Sequence, residues 1–136
     1  MALAAGTQAA LAADAPALSA MPPVRHHGDI AYVTGGIGES ESTAMKQAMH
    51  RYPLSLEFFG KADGGNEYLA DIPVAISNNQ GKEILKARAQ GPFMLVSLPD
   101  GKYTVSSRYN GVTQRRVVDI GPASHAVEMF DWTVAS

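Results

Sequence analysis

Apolar residues follow two different spacings along the chain, and the spacing changes at Pro53. Before Pro53 they recur every three to four residues, which is typical of a helix with one buried face. This pattern predicts one amphipathic helix at about residues 41–51, with Ser40 as its N-cap. From Leu54 onward apolar and polar residues alternate, which is typical of strands with one buried face.

Turn residues divide the second part of the chain into about seven short strands. Asp100 and Gly101 form one tight turn, and Asn110 and Gly111 form another, because these residue types adopt the positive φ angles that hairpins need. Pro73 cannot donate to a β-ladder, so its strand should have a free edge or a bulge there. The pattern predicts a mainly β fold, an antiparallel Greek-key sandwich of seven strands with one N-terminal α-helix.

One hairpin raises a conflict between turn geometry and core pattern. A two-residue turn at Asn110 and Gly111 pairs Tyr109 with Val112, and therefore places Arg116 opposite a core position on the preceding strand. A bulge or a longer loop at residues 111–114 would remove the conflict. We therefore expect an irregular register in this hairpin.

The N-terminal region has a different composition from the rest. Residues 1–12 are rich in alanine and are followed by Ala13, a small-residue pattern typical of a signal-peptidase site, although the basic start of a signal is missing. We interpret 1–12 as the remnant of a secretion signal, 13–28 as a flexible linker and 29–136 as a single domain. The predicted location is the periplasm or the exterior of a bacterium. The alternative is an alanine-rich leader without a targeting role.

Composition limits the classes of function. The chain has 11 basic and 13 acidic residues and no cysteine, so nucleic acid is a poor candidate partner and a cysteine-based metal site is excluded. No apolar run is long enough for an integral membrane segment. The lysine-containing and glycine-rich segments lack the spacing of phosphate-binding or nucleophile motifs. We predict no enzymatic activity and no cofactor.

The segment at residues 91–105 contains the pattern Leu-Pro-Asp-Gly-Lys-Tyr after a strand and a glycine turn. It resembles the carboxypeptidase regulatory-like domain, a transthyretin-like sandwich that is also grouped with starch-binding-like folds. The resemblance implies that Leu98 fills the core, that Pro99 and Gly101 shape a corner, and that Tyr103 buries its ring while its hydroxyl bonds the backbone. Such domains usually serve as non-catalytic binding or accessory modules. The segment at residues 32–39, with the helix after it, resembles that of small exported bacterial proteins that have this sandwich as their only domain.

Candidate ligand-binding residues follow from the way sandwich domains bind sugars, on exposed aromatic rings. Tyr109, beside a turn, is the best candidate, and Arg108 next to it provides a charge for an acidic partner. Tyr68 lies in a polar loop and is a second exposed ring. Trp132 alternates with Phe130 and is predicted to be a core residue instead. The predicted partner is a protein or a carbohydrate.

Two other functions stay open from the sequence. His26, His27 and Asp29 provide three metal donors within four residues, enough for Cu(II), Ni(II) or Zn(II) if an irregular loop brings both imidazoles to one ion. The alternative is that this segment is solvated and mobile and binds no metal. Separately, an exposed edge, either the Pro73 strand or the one at residues 83–89, could accept a strand from another protein, which would give an assembly role.

Overall fold

The computed structural model describes residues 20–134, and they form ten strands in two sheets with one α-helix. The mainly β class is therefore confirmed, whereas the predicted secretion signal, residues 1–12, lies outside the described residues. The strands are β1 (Arg25–His27), β2 (Ile30–Gly35), β3 (Leu54–Ala62), β4 (Gly65–Tyr68), β5 (Ile72–Ser77), β6 (Glu83–Ala89), β7 (Phe93–Ser97), β8 (Gly101–Tyr109), β9 (Val112–Ile120) and β10 (Ala126–Thr133). Helix α1 (Glu39–Ala48) is continued by a 3-10 turn at Met49–Arg51.

The strand order differs from the predicted Greek key. The six-stranded sheet has the order β1-β2-β7-β3-β10, with β4 also beside β3, and the four-stranded sheet has the order β6-β5-β8-β9. Strands β3 and β10 run parallel, with Leu54 opposite Ala126 and Lys61 opposite Thr133. The prediction of seven strands in an antiparallel Greek key is therefore wrong.

Two of the additional strands, β1 and β4, lie in segments that the sequence pattern predicts to be irregular. Every residue of both strands is exposed, so neither has the alternation that identifies a half-buried strand. Strand β1 falls inside the predicted linker 13–28, where it pairs antiparallel with β2. Strand β4 forms a hairpin with the end of β3.

The core lies between the two sheets and is built from the alternating positions. Leu54, Leu56 and Phe58 are fully buried there, and the ring of Phe58 stacks on that of Phe130 with centroids 5.6 Å apart. Pro73 pairs with β6, but the pairing of β5 with β8 begins only at the next residue, so the proline lies at a free position of its strand. Its missing N–H therefore removes no bond to β8.

Helix α1 packs on the outer face of the six-stranded sheet. Met45 and Ala48 are buried against Val33, Phe93 and Leu95 in a second apolar cluster. The helix begins two residues before the predicted start, and Gly38, not Ser40, is the N-cap. Within the described residues this helix is too short and too polar to cross a bilayer.

The hairpin of β8 and β9 has no bulge, so the expected irregular register is wrong. Asn110 and Gly111 have φ angles of 52° and 82°, which is type I′ geometry. Tyr109 pairs with Val112, and the regular ladder places Arg116 opposite Val105. The charge is tolerated because Arg116 lies at the margin of the four-stranded sheet, where its guanidinium reaches partners on β10.

Candidate functional site

A cleft of about 380 Å³ lies at the end of the sandwich that carries the Asn110 turn. We call it the hairpin-end cleft. Strands β3, β8, β9 and β10 meet there, because the parallel register of β3 and β10 brings their carboxyl ends to the same edge. The residues that line it are Lys61, Tyr109, Asn110, Val112, Gln114, Asp131, Trp132 and Thr133.

Two aromatic side chains form the apolar wall of the hairpin-end cleft. The rings of Tyr109 and Trp132 lie with centroids 5.8 Å apart and are tilted by 51°. Trp132 is 4% exposed, as expected for a core residue, and its indole N–H donates to the carbonyl of Val112 at 3.0 Å. Tyr109 is half-buried, so its ring is the more accessible of the two.

Polar groups surround these rings. The Lys61 ammonium lies 3.8 Å from an Asp131 carboxylate oxygen, and both side chains are largely exposed. The Gln114 amide donates to the Asp131 carbonyl at 2.6 Å, which holds β9 against β10. The cleft therefore offers an ammonium, a carboxylate, an amide and a hydroxyl beside an aromatic surface.

The three predicted ligand-binding residues lie at three separate places. Tyr109 lines the hairpin-end cleft, whereas Arg108, its neighbour on β8, lies on the outer face of the four-stranded sheet. Tyr68 lies on β4, with its ring 5.7 Å from that of Phe59. The structure therefore does not bring these residues together in one site.

The predicted metal ligands do not converge either. His26 and His27 are consecutive residues of strand β1, so their side chains point to opposite faces. The irregular loop that shared coordination needs is absent at this position. Within residues 20–134, no group of three histidine or acidic side chains is placed to hold a metal ion.

His27 and Asp29 instead line a second cleft, of about 510 Å³, at the opposite end of the sandwich. We call it the corner cleft because Pro99 and Tyr103 also line it. The Tyr103 hydroxyl donates to the Pro99 carbonyl at 2.7 Å, and Tyr103 and Leu98 are both buried. Burial raises the pKa of the Tyr103 hydroxyl, and the nearby negative charge of Asp100 raises it further. These contacts stabilise the corner, and the Tyr103 hydroxyl is already engaged by its hydrogen bond to the Pro99 carbonyl.

The surroundings of Glu57 change the ionisation of its carboxylate. It is half-buried on the outer face of the six-stranded sheet, between Phe93 on β7 and Met129 on β10. Burial raises the pKa of Glu57 above 4.5, and the positive charge of Lys46 partly opposes the change. It lies outside both clefts.

Sequence reasoning identified Tyr109 but missed the polar rim of its cleft. Lys61, Asp131 and Thr133 come together through the pairing of β3 with β10, for which the sequence gives no local signal. No family model matches the chain, and the search of curated proteins found no match. The function is therefore argued from the geometry of the site.

Proposed function

We propose that the protein is a non-catalytic, exported binding module that recognises a carbohydrate in the hairpin-end cleft. The observation that supports this best is the half-buried ring of Tyr109 beside the polar rim of Lys61, Asn110 and Asp131. A sugar ring has an apolar face of C–H groups and an edge of hydroxyls. The first packs on an aromatic ring, and the second pairs with mixed donors and acceptors.

The size and openness of the cleft agree with a small part of a glycan. A volume of about 380 Å³ lies at the lower end of the range for small-molecule sites, which bind by a few well-placed polar groups. The tight turn at Asn110 and Gly111 and the bonded indole of Trp132 fix the wall before a ligand arrives. A preformed wall lowers the entropic cost of binding.

Two expectations from the sequence belong to this proposal. The resemblance of residues 91–105 to carboxypeptidase regulatory-like domains favours an accessory binding role, and the alanine-rich start favours export. Strand addition has less support, because β5 lies inside its sheet, and β6, although it is an edge strand of its sheet, has β1 and β2 of the other sheet close to it. Metal binding at His26 and His27 lacks the geometry that it requires.

The chain has one tryptophan, and its position makes the proposal testable by fluorescence. We expect Trp132 emission to change on titration with a panel of neutral plant, storage and cell-wall oligosaccharides, and at least one member to saturate. Tyr109→Ala should weaken binding of that member by about tenfold, because an aromatic contact contributes roughly 0.5–1.5 kcal/mol beyond its area. Tyr68→Ala removes an exposed ring outside the cleft and is the matched control.

Either of two results would overturn the proposal. One is a panel in which no oligosaccharide changes the emission or gives heat on mixing in calorimetry. The other is Tyr109→Ala binding the active oligosaccharide as tightly as Tyr68→Ala does. Circular dichroism verifies that each variant is folded before its binding is compared.

A further inference from the structure

Small or hydroxyl-bearing residues form the centre of the outer face of the four-stranded sheet. Side chains point to this face from alternate positions of β5, β6, β8 and β9, while most of the intervening residues point towards the other sheet. No aromatic ring points to this face, which lies wholly within the described residues. The small or hydroxyl-bearing residues are Pro73, Ala75, Ser77, Thr104 and Ser106 on the two central strands and Thr113 on β9, where Val117 is an exposed apolar residue of the same face.

Three cations surround this centre. Lys86 is opposite Ala75, Ala75 is opposite Ser106, and Ser106 is opposite Arg115, so one row crosses all four strands. With adjacent strands ~4.8 Å apart, the ends of the row, at Lys86 and Arg115, lie about 14 Å apart. Arg108 stands two residues from Ser106 on the same face. We call this surface, framed by Lys86, Arg108 and Arg115, the cationic face.

The charge of the cationic face is only partly balanced by acidic residues, since Asp119 lies opposite Lys102 and Glu83 lies opposite Ser77. Arg88, at its margin, donates to Asp71 at 2.7 Å and is paired. By contrast, Lys86, Arg108 and Arg115 form no ion pair in the described part of the chain. The face carries five cations, Lys86, Arg88, Lys102, Arg108 and Arg115, against Asp71, Glu83 and Asp119, so it is positive although the whole protein has a net charge of -2. Such a concentration attracts anionic partners over a distance of about one Debye length.

The face also has a shallow depression of about 350 Å³ between two of the cations. Lys86 and Arg108 line it, together with Ser106 and Thr113. It forms next to Pro73, where the pairing of β5 with β8 has ended. Positive groups thus stand beside hydroxyls that can donate and accept.

We infer that the cationic face binds an acidic polysaccharide, a chain of sugars that carries carboxylates. Guanidinium and ammonium groups pair with the carboxylates, and the serine and threonine hydroxyls bond to sugar hydroxyls between them. A single-stranded nucleic acid would also need aromatic platforms for its bases, which this face lacks. A protein partner is usually anchored by aromatic residues, which this face lacks, and its exposed Val117 lies on the edge strand β9 and not on the central strands.

This surface is separate from the hairpin-end cleft. Arg108 and Tyr109 are consecutive on β8, so their side chains lie on opposite faces of the sheet. The two sites are therefore tested by different variants, and either can fail without the other.

The inference is tested with polygalacturonate oligomers as the probe and uncharged dextran of equal length as the neutral comparison. We expect amide resonances of Ala75, Ser106 and Arg115 to shift with polygalacturonate and not with dextran. The triple variant K86Q/R108Q/R115Q should lose about tenfold or more in affinity, because each exposed ion pair contributes up to a few-fold. Added salt should weaken binding to the original protein. Tyr109→Ala should bind polygalacturonate as the original protein does.

A second triple variant, R25Q/R51Q/K82Q, is the matched control. It removes three exposed cations from other surfaces and leaves the same net charge. Equal loss of affinity in both triple variants would overturn the inference, because it would show a response to net charge alone. Oligothymidylate or polyglutamate binding as tightly as polygalacturonate would also overturn it, and so would the absence of binding at low salt.

Discussion

At the scale of the residue, Arg116 shows how a charge is held opposite a core position. Its guanidinium donates to the Gln114 amide oxygen and to the Met129 carbonyl, both at 3.1 Å. It also lies 4.8 Å from the centroid of the Phe130 ring and 3.8 Å from a Glu128 carboxylate oxygen. The side chain thus joins β9 to the free edge of β10, and its charge is satisfied on several sides.

Arg116→Ala should therefore lower the free energy of unfolding by about 1–3 kcal/mol, because it removes two charge-assisted hydrogen bonds and a cation–π contact. Arg115→Ala is the control, since the neighbouring side chain is exposed on the opposite face, and should change it by less than about 0.5 kcal/mol. Urea denaturation measures both. Equal losses in the two variants would contradict the register described above.

The half-buried Glu57 predicts a specific dependence of stability on pH. Its pKa in the folded protein lies above 4.5, because burial disfavours the ionised form. Folding therefore favours proton uptake by Glu57 at pH values above the ordinary glutamate pKa, and the contribution of Glu57 to the free energy of unfolding falls as the pH rises through this window.

Glu57→Gln removes this contribution. The difference in free energy of unfolding, variant minus original protein, should increase from about pH 4 to about pH 7. The exposed Glu67→Gln is the control, and its difference from the original protein should stay constant. Urea denaturation at the two pH values measures both differences. A difference that stays constant for Glu57→Gln as well would contradict burial as the cause of the raised pKa.

At the scale of the element, the hairpin of β8 and β9 depends on its turn. Gly111 has a φ of 82°, and a Cβ added there would meet no atom within 4 Å. The cost of Gly111→Ala is therefore backbone strain alone, about 1 kcal/mol, and thermal or urea denaturation measures it. Gly64→Ala, at a glycine without a positive φ and with open space, should change stability by less than about 0.5 kcal/mol. Equal effects at the two positions would show that the turn is not of type I′.

Strand β10 illustrates how an edge is protected. Two of its carbonyls, those of Met129 and Asp131, accept hydrogen bonds from side chains of β9. Side-chain donors from the other sheet therefore occupy positions at which an added strand would bond. This is an element-level reason to favour ligand binding over strand addition.

At the scale of the whole molecule, alternation in the sequence predicted the elements that contribute to the core. Leu54, Leu56 and Phe58 alternate with polar residues and are fully buried, and Met45 and Ala48 face the sheet from the helix. Strands with two exposed faces, β1 and β4, have no such pattern and were missed. The pairing of β3 with β10 depends on tertiary packing, so neither it nor the rim of the cleft could be predicted locally.

Strand β10 is also required to complete the six-stranded sheet. It pairs with β3 along eight residues and supplies Phe130 and Trp132 to the core. A chain that ends at Ile120 should therefore lack a cooperative unfolding transition in urea. Adding a peptide of residues 124–134 should restore it, with a change in the emission of Trp132. A cooperative transition in the shortened chain alone would contradict this dependence.

The same pairing sets a sequence of events during synthesis. Strand β3 leaves the ribosome well before β10, and the stacking partner of Phe58 is among the last residues of the fold to be made. Until then one side of β3 has no neighbour, and long-range closure of this kind is slow. The core therefore stays incomplete, and the chain open to chaperones, until β10 is available to pair with β3.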